Sequence, residues 1–197
     1  VTGLNDLTVA LSGLFDGAAS AVDTVLAAAI GVDNDVNFTI ANDGGFTIGR
    51  RCWLGQSILT KYEVSAPVSD VVKVSADLQG DADSDSGVIL ADLSAISSTS
   101  TNAAVDNGNA TTNGGTTVIH VPTNTRNGNI TVKVQHSSDN VTFADLATFT
   151  VVSSSTTTSE RLVIATGTTV NRYLRASFTV AGSTGSANIA VAFGRRY

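Results

Sequence analysis

The sequence predicts a mainly β protein: an antiparallel β-sandwich carrying one α-helix, followed by a second β-sandwich or jelly-roll subdomain. Three observations predict it. Thr, Ser, Val, Ala and Gly dominate, Met is absent and proline occurs twice, a composition suited to pleated sheets and turns. Two stretches alternate with a period of two. In VVKVSADLQ, Val72, Val74, Ala76 and Leu78 oppose Val71, Lys73, Ser75 and Asp77; in RYLRASFTV, Leu174, Ala176, Phe178 and Val180 oppose Tyr173, Arg175, Ser177 and Thr179. Both patterns fit half-buried antiparallel strands. Clusters of Gly, Asn, Ser and Thr separate such segments along the chain.

Taken in order, the first strand covers Thr8 to Leu14. The alanine-rich stretch 17–30 breaks the rhythm: Val22, Val25, Leu26 and Ala29 fall at helical spacing, with Asp16 placed to cap the start and Gly31 the end. Strands follow at Arg51 to Thr60, Val71 to Leu78 and Gly87 to Leu93. Residues 94–115, SAISSTSTNAAVDNGNATTNGG, hold no large side chain and read as a linker or long loop. Beyond it come strands at Thr117 to Val121, Ile130 to His136, Ala147 to Val152, Arg161 to Ala165, Tyr173 to Val180 and Asn188 to Phe193. The expected organisation is a first domain over 1–100, a linker over 101–115 and a second subdomain over 116–197.

With 197 residues the chain can bury a core without covalent staples. Its single cysteine, Cys52, forms no internal disulfide, which suits a reducing cytoplasm. The longest apolar run, Val25 to Ile30, is far too short to span a bilayer, and the start lacks a secretory pattern, so no membrane association is expected. The chain begins at Val1, which suggests a processed or incomplete start. Net charge is −6, but residues 1–116 hold 14 acids and 4 bases whereas 117–197 hold 3 acids and 7 bases. Opposite charges on opposite halves allow head-to-tail packing of copies, or reflect ordinary surface variation. Clustered Lys and Arg for gripping nucleic acid are lacking.

Candidate chemistry is sparse. His136, Ser137 and Asp139 sit side by side, whereas a hydrolytic triad converges from distant segments. No G-x-S-x-G elbow occurs, and the only other histidine is His120. Ser138, Asp139 and Asn140 instead favour a hairpin turn. The reading is therefore not an enzyme. Asp81, Asp83, Asp85 and Asp92 match acidic positions of a calcium loop, but Gly87 is one residue late and the flanks read as strands; a solvated acidic loop is the alternative. No other cofactor is indicated, since Cys52, His120 and His136 cannot complete a zinc site alone. The doublets Arg50–Arg51 and Arg195–Arg196 read as ion-pair partners or solvated strand ends.

The order of GLNDLTVALSGLFDG, a short helix, ILTKYEVSAPVSDVVKVSADLQGD and GVIL resembles the major tail tube proteins of long-tailed bacteriophages. TVKVQHSSDNVTFADLATFTV, RYLRASFTV and AVAFGRR resemble the C-terminal portion of many members, so the likeness covers most of the chain. It implies a structural virion protein, in the host cytoplasm during assembly and in the viral tail afterwards. There it would form homo-oligomeric, usually hexameric, rings that stack into a conduit for genome delivery. DNA would pass without specific binding, and other tail proteins, such as the tape measure and the terminator, would be partners. Arg51, Tyr62, Val71, Lys73, Ser75 and Asp77 become tube-wall candidates, and the loop Asp33 to Phe46, with Asp33, Asp35 and Asp43, an arm to the next ring. Members commonly carry further sequence ahead of the stretch matching Gly3 to Leu14. An acidic wall suits a conduit for a polyanion, because wall cations would retain phosphates.

Residues 117–197 also resemble galactose-binding jelly rolls, through Gln135, Ser137, Asp139, Phe143, Arg172, Tyr173 and Arg175. That likeness implies a carbohydrate-binding or adhesion module, or a decoration protein of capsid or tail, with Tyr173 and Arg175 contacting sugar. Only Tyr173 offers an evident open aromatic face, so a jelly roll retained for structure is the preferred reading.

Overall fold

The computed structural model describes residues 7–16, 22–30, 36–41, 45–68, 70–82 and 84–196. In chain order the elements are β1 (Thr8–Leu14), α1 (Val22–Ala29), β2 (Val36–Ala41), β3 (Arg51–Ser65), β4 (Lys73–Gly80) and β5 (Asp85–Ile96). Next come β6 (Ser100–Thr101), β7 (Val105–Asp106), β8 (Gly115–Asn124), β9 (Ile130–Ser137) and β10 (Ala144–Thr148). The last are β11 (Thr158–Ile164), β12 (Tyr173–Val180) and β13 (Ala187–Arg195). The fold is mainly β, its sheets are antiparallel, and it carries one short helix, as the composition and alternation predict.

The chain forms two compact units that interleave in sequence, one from Val1–Val36 and Gln56–Ser84, the other from Asn37–Gly55 and Asp85–Tyr197. This differs from the expected division at 101–115. Those residues are not a free linker: β6 and β7 both pair with β12, and the Asn102 side chain donates to the Leu90 carbonyl at 2.9 Å. Low complexity does not prevent this, because the strand pairing uses backbone groups, which every residue carries. The two units also partition the charge. The first holds ten acids and two bases, net −8, and the second seven acids and nine bases, net +2.

In the first unit β4 pairs with β1 on one side and with the later part of β3 on the other. Along β4, Val74, Ala76 and Leu78 are buried while Lys73 is exposed and Ser75 and Asp77 half-buried, as the alternation predicts. The buried core is thin. Leu59, Ala76 and Leu78 form it, with Val9, Leu26, Ala29, Val36 and Tyr62 packed around them. Leu26 and Ala29 of α1 thus lie on the sheet as their spacing predicts; residues 17–21, Gly31 and the side chains of Val22 and Val25 lie outside the described residues.

The second unit is a sandwich. One sheet runs from the early part of β3 through β5, β13 and β8 to β11; the other runs β10, β9, β12, β6, with β7 also on β12. Ile130, Val132 and Val134 of β9 and Leu174, Ala176 and Phe178 of β12 meet Leu90, Ile119, Val121, Ile189, Val191 and Phe193 from the facing sheet. A second cluster, Cys52, Leu54, Ile89, Val118 and Ala192 with Phe46 against it, covers that sheet's outer side. Strand β13, covered on both faces, is therefore buried almost throughout. Burial pushes the Cys52 thiol up to about 12, which keeps it unreactive.

Candidate assembly surface

The most distinctive feature of the first unit is what it leaves unburied. Among the described residues, Leu11, Leu14, Phe15, Ile30, Val64, Val68, Val71 and Val72 are exposed, Leu14 to 70 %. Eight large apolar side chains in the open thus stand against a three-residue buried cluster. A self-sufficient monomer seldom leaves this imbalance, because each such side chain gains about 1.5–3 kcal/mol on full burial.

Strand β1 adds an open edge. It pairs only with β4 among the described strands, and nearly all of it is exposed. Gly80 N–H donates to the Leu7 carbonyl at 2.6 Å and Phe15 N–H to the Val72 carbonyl at 3.0 Å. These two bonds fix the ladder's alternation. Odd-numbered residues of β1 turn their backbone groups to β4, and Thr8, Ala10, Ser12 and Leu14 turn theirs outward. A row of donors and acceptors without strand partners among the described residues, beside apolar side chains, is a template for another strand.

The sheet has two chemically distinct faces. The register sets Lys61 opposite Asp77, Glu63 opposite Ser75 and Ser65 opposite Lys73, on the side away from the core. Both lysines there are neutralised. Lys61 lies 3.0 Å from Glu63, whose hydrogen bond and charge raise its pKa, and Lys73 donates to Asp70 at 2.7 Å, holding that carboxyl below its ordinary range.

The expected wall residues do not all share this face. Lys73, Ser75 and Asp77 do. Tyr62 stands opposite Ala76 on the core side and donates its hydroxyl to Asp23 at 2.5 Å; desolvation first, then Asp23, push the phenol up to about 12. A bulge between Leu59 and Lys61 produces this reversal by shifting the phase of β3. Val71 precedes β4, and Arg51 belongs to the other unit. Of the expected arm 33–46, Val36–Ala41 is strand β2, and Asp33, Asp35 and Asp43 lie outside the described residues.

Among the described residues the aspartates of the expected calcium loop do not converge. Asp85 begins β5 and Asp92 lies seven positions along the same strand, about 20 Å away at the rise of an extended chain. Asp83 lies outside the described residues, and no group of three metal-binding side chains occurs among those described. Asp85 is buried and faces Arg196 at 3.6 Å.

The residues suggested for sugar, Tyr173 and Arg175, are engaged within the chain. The Arg172 guanidinium lies 5.0 Å from the centre of the Tyr173 ring, and Arg175 lies 3.8 Å from that of Phe143. Arg175 also donates to Gln135 at 2.9 Å, and Gln135 to Asp145 at 2.8 Å.

At the β9–β10 hairpin, Ser137 donates its hydroxyl to Asp139 at 2.7 Å, and Asp139 accepts the Val141 and Thr142 N–H groups at 2.9 and 2.8 Å. His136 is half-buried and accepts from Asn171 N–H at 3.3 Å, apart from this turn. His120, half-buried at the other sheet, meets Thr39 and Ser159 hydroxyls at 3.0 Å each. The Thr142 and Val141 amides, then Ser137, hold the Asp139 carboxyl at about 2. A depressed folded-state pKa stabilises above the unfolded value and ceases to as pH falls through the folded one. Asp139→Asn is therefore expected to melt below wild type at pH 6, with the gap closing between about pH 4 and pH 2. A gap independent of pH in thermal scans refutes the capping role.

The sequence reading missed Leu11, Leu14, Phe15 and Val68 as surface groups. A signal was present: TVALSGLF carries apolar residues on both phases of its alternation, unlike a strand with one solvated face. No helix among the described residues is long and apolar enough to cross a membrane. Compared with known protein families and with curated proteins, the chain matches none.

Proposed function

We propose that this protein is a structural subunit that assembles with copies of itself into stacked rings, forming the tail tube of a long-tailed bacteriophage through which DNA is delivered. The carrying observation is the first unit's open edge β1 beside exposed Leu11, Leu14 and Phe15. A neighbour's strand laid on that edge satisfies the outward backbone groups and covers apolar surface in one step. Burying half of the eight exposed side chains contributes on the order of 5–10 kcal/mol per subunit. The polar face then supplies a wall suited to a polyanion, since its lysines are paired with carboxylates and the unit carries net −8.

The purified chain is expected to sediment as a concentration-dependent oligomer and to show rings or tubes in negative-stain electron microscopy. A strict monomer at the highest attainable concentration overturns the reading.

A further inference from the structure

The second unit contains a cavity of about 290 Å³ whose apolar lining includes Val88 and Phe193 and whose polar lining includes Arg51, Arg195, Ser86 and Asn107. Among the described residues its charges are all positive: two guanidinium groups line it and no carboxylate does. The nearest acids in sequence are engaged elsewhere, Asp106 by Arg172 through two hydrogen bonds of 2.7 Å and Asp85 by Arg196. Arg195 is buried and held by backbone carbonyls of Asn109, Val170, Asn171 and Arg172, so its charge is fixed in place.

Arg51 differs. It is exposed and lies 5.6 Å from the centre of the Trp53 ring, and its side chain makes no hydrogen bond or ion pair among the described residues. Stacking on the indole orients a planar guanidinium while leaving its donors open, the arrangement that matches a carboxylate in a two-pronged contact. The volume sits at the lower limit of ligand pockets, enough for one side chain.

We propose that this cavity receives a carboxylate, and that it is an acidic side chain from the first unit of a neighbouring copy. The second half of the proposal rests on the assembly reading. It follows from charge complementarity: the first unit carries ten acids against two bases, and the cavity is the cationic recess on the second.

Trp53 is the sole tryptophan, so its fluorescence reports on Arg51. Sodium acetate, titrated against chloride at constant ionic strength into dilute protein, is expected to change Trp53 emission saturably. Arg51→Gln is expected to lose the response and Arg51→Lys to retain a weaker one. In sedimentation, Arg51→Gln is expected to assemble roughly tenfold more weakly than wild type, with a flatter salt dependence. Absence of a saturable acetate response overturns the carboxylate site. A response with unaltered assembly of Arg51→Gln overturns the neighbour as donor and leaves a free small anion. A wild-type chain that never assembles sinks the assembly reading and the neighbour with it, whatever acetate does.

Discussion

Replacing Ser12 with proline is expected to leave the first unit folded and to abolish its assembly. Ser12 sits opposite Ser75 in the β1–β4 ladder at a position whose N–H points away from β4. Proline there removes no hydrogen bond among the described residues, and edge strands tolerate its fixed backbone angle. A neighbouring strand, by contrast, meets a missing donor and a bulky ring, and one of its carbonyls is left without a partner. That costs about 1–3 kcal/mol per interface, on the order of ten- to a hundredfold in association, compounded around a closed ring. Leu11→Pro supplies the contrast. Its N–H points to β4, so that substitution breaks the internal ladder and is expected to lower thermal stability. Sedimentation velocity with thermal scans separates the cases: Ser12→Pro as a stable monomer supports edge pairing, and Ser12→Pro assembling like wild type removes β1 from the interface.

Much of the β architecture was legible because alternation reports burial directly. β1 has the predicted limits, β4 buries Val74, Ala76 and Leu78 and β12 buries Leu174, Ala176 and Phe178, whereas Val72, ahead of β4, is exposed and Val180, at the end of β12, is half-buried. Strand ends were less legible: β3 runs on to Ser65 and β5 to Ile96, since pairing partners, not composition, decide where a ladder stops. β2 was read as part of the loop Asp33 to Phe46 that the resemblance implies, and VNFTIA, short and flanked by Asp and Asn, which favour turns, offers little local signal against it. The unit boundary was illegible for a topological reason. β5 pairs with β13 across about a hundred residues, and no local signal specifies so distant a partner. Arg195, read as a solvated or ion-paired strand end, lies buried among carbonyls, because β13 is central to its sheet and its ends are covered by loops.

The second buried arginine carries the largest stability effect. Arg126 is 1 % exposed, and none of its four side-chain partners is a carboxylate. One terminal nitrogen donates to the Ser97 and Gly185 carbonyls at 2.8 Å each, the other to Ala181 and Gly182 at 2.9 and 2.7 Å. Gly182 and Gly185 hold φ of +78° and +81°, and an added Cβ would strike Asn127 and the Thr125 carbonyl, so only glycine lets this loop turn its carbonyls onto the guanidinium. The same residue anchors a second loop, its own carbonyl accepting from the Ser154 hydroxyl at 2.9 Å and from Ser155 N–H at 3.1 Å. A planar fork with five donors is the one side chain that can tie together the segments at 97, 181–182 and 185. Arg126→Met keeps most of the volume but strands four carbonyls, at a cost of roughly 3–5 kcal/mol, or about 10–15 °C in melting temperature for a unit of this size. Arg126→Lys recovers only part, because three donors on a point charge cannot reach four acceptors spread around a plane. Thermal scans and amide exchange of the 181–186 loop check this together. A Met variant that melts within a degree or two of wild type, with the loop equally protected, means that the guanidinium's burial costs as much as its hydrogen bonds return.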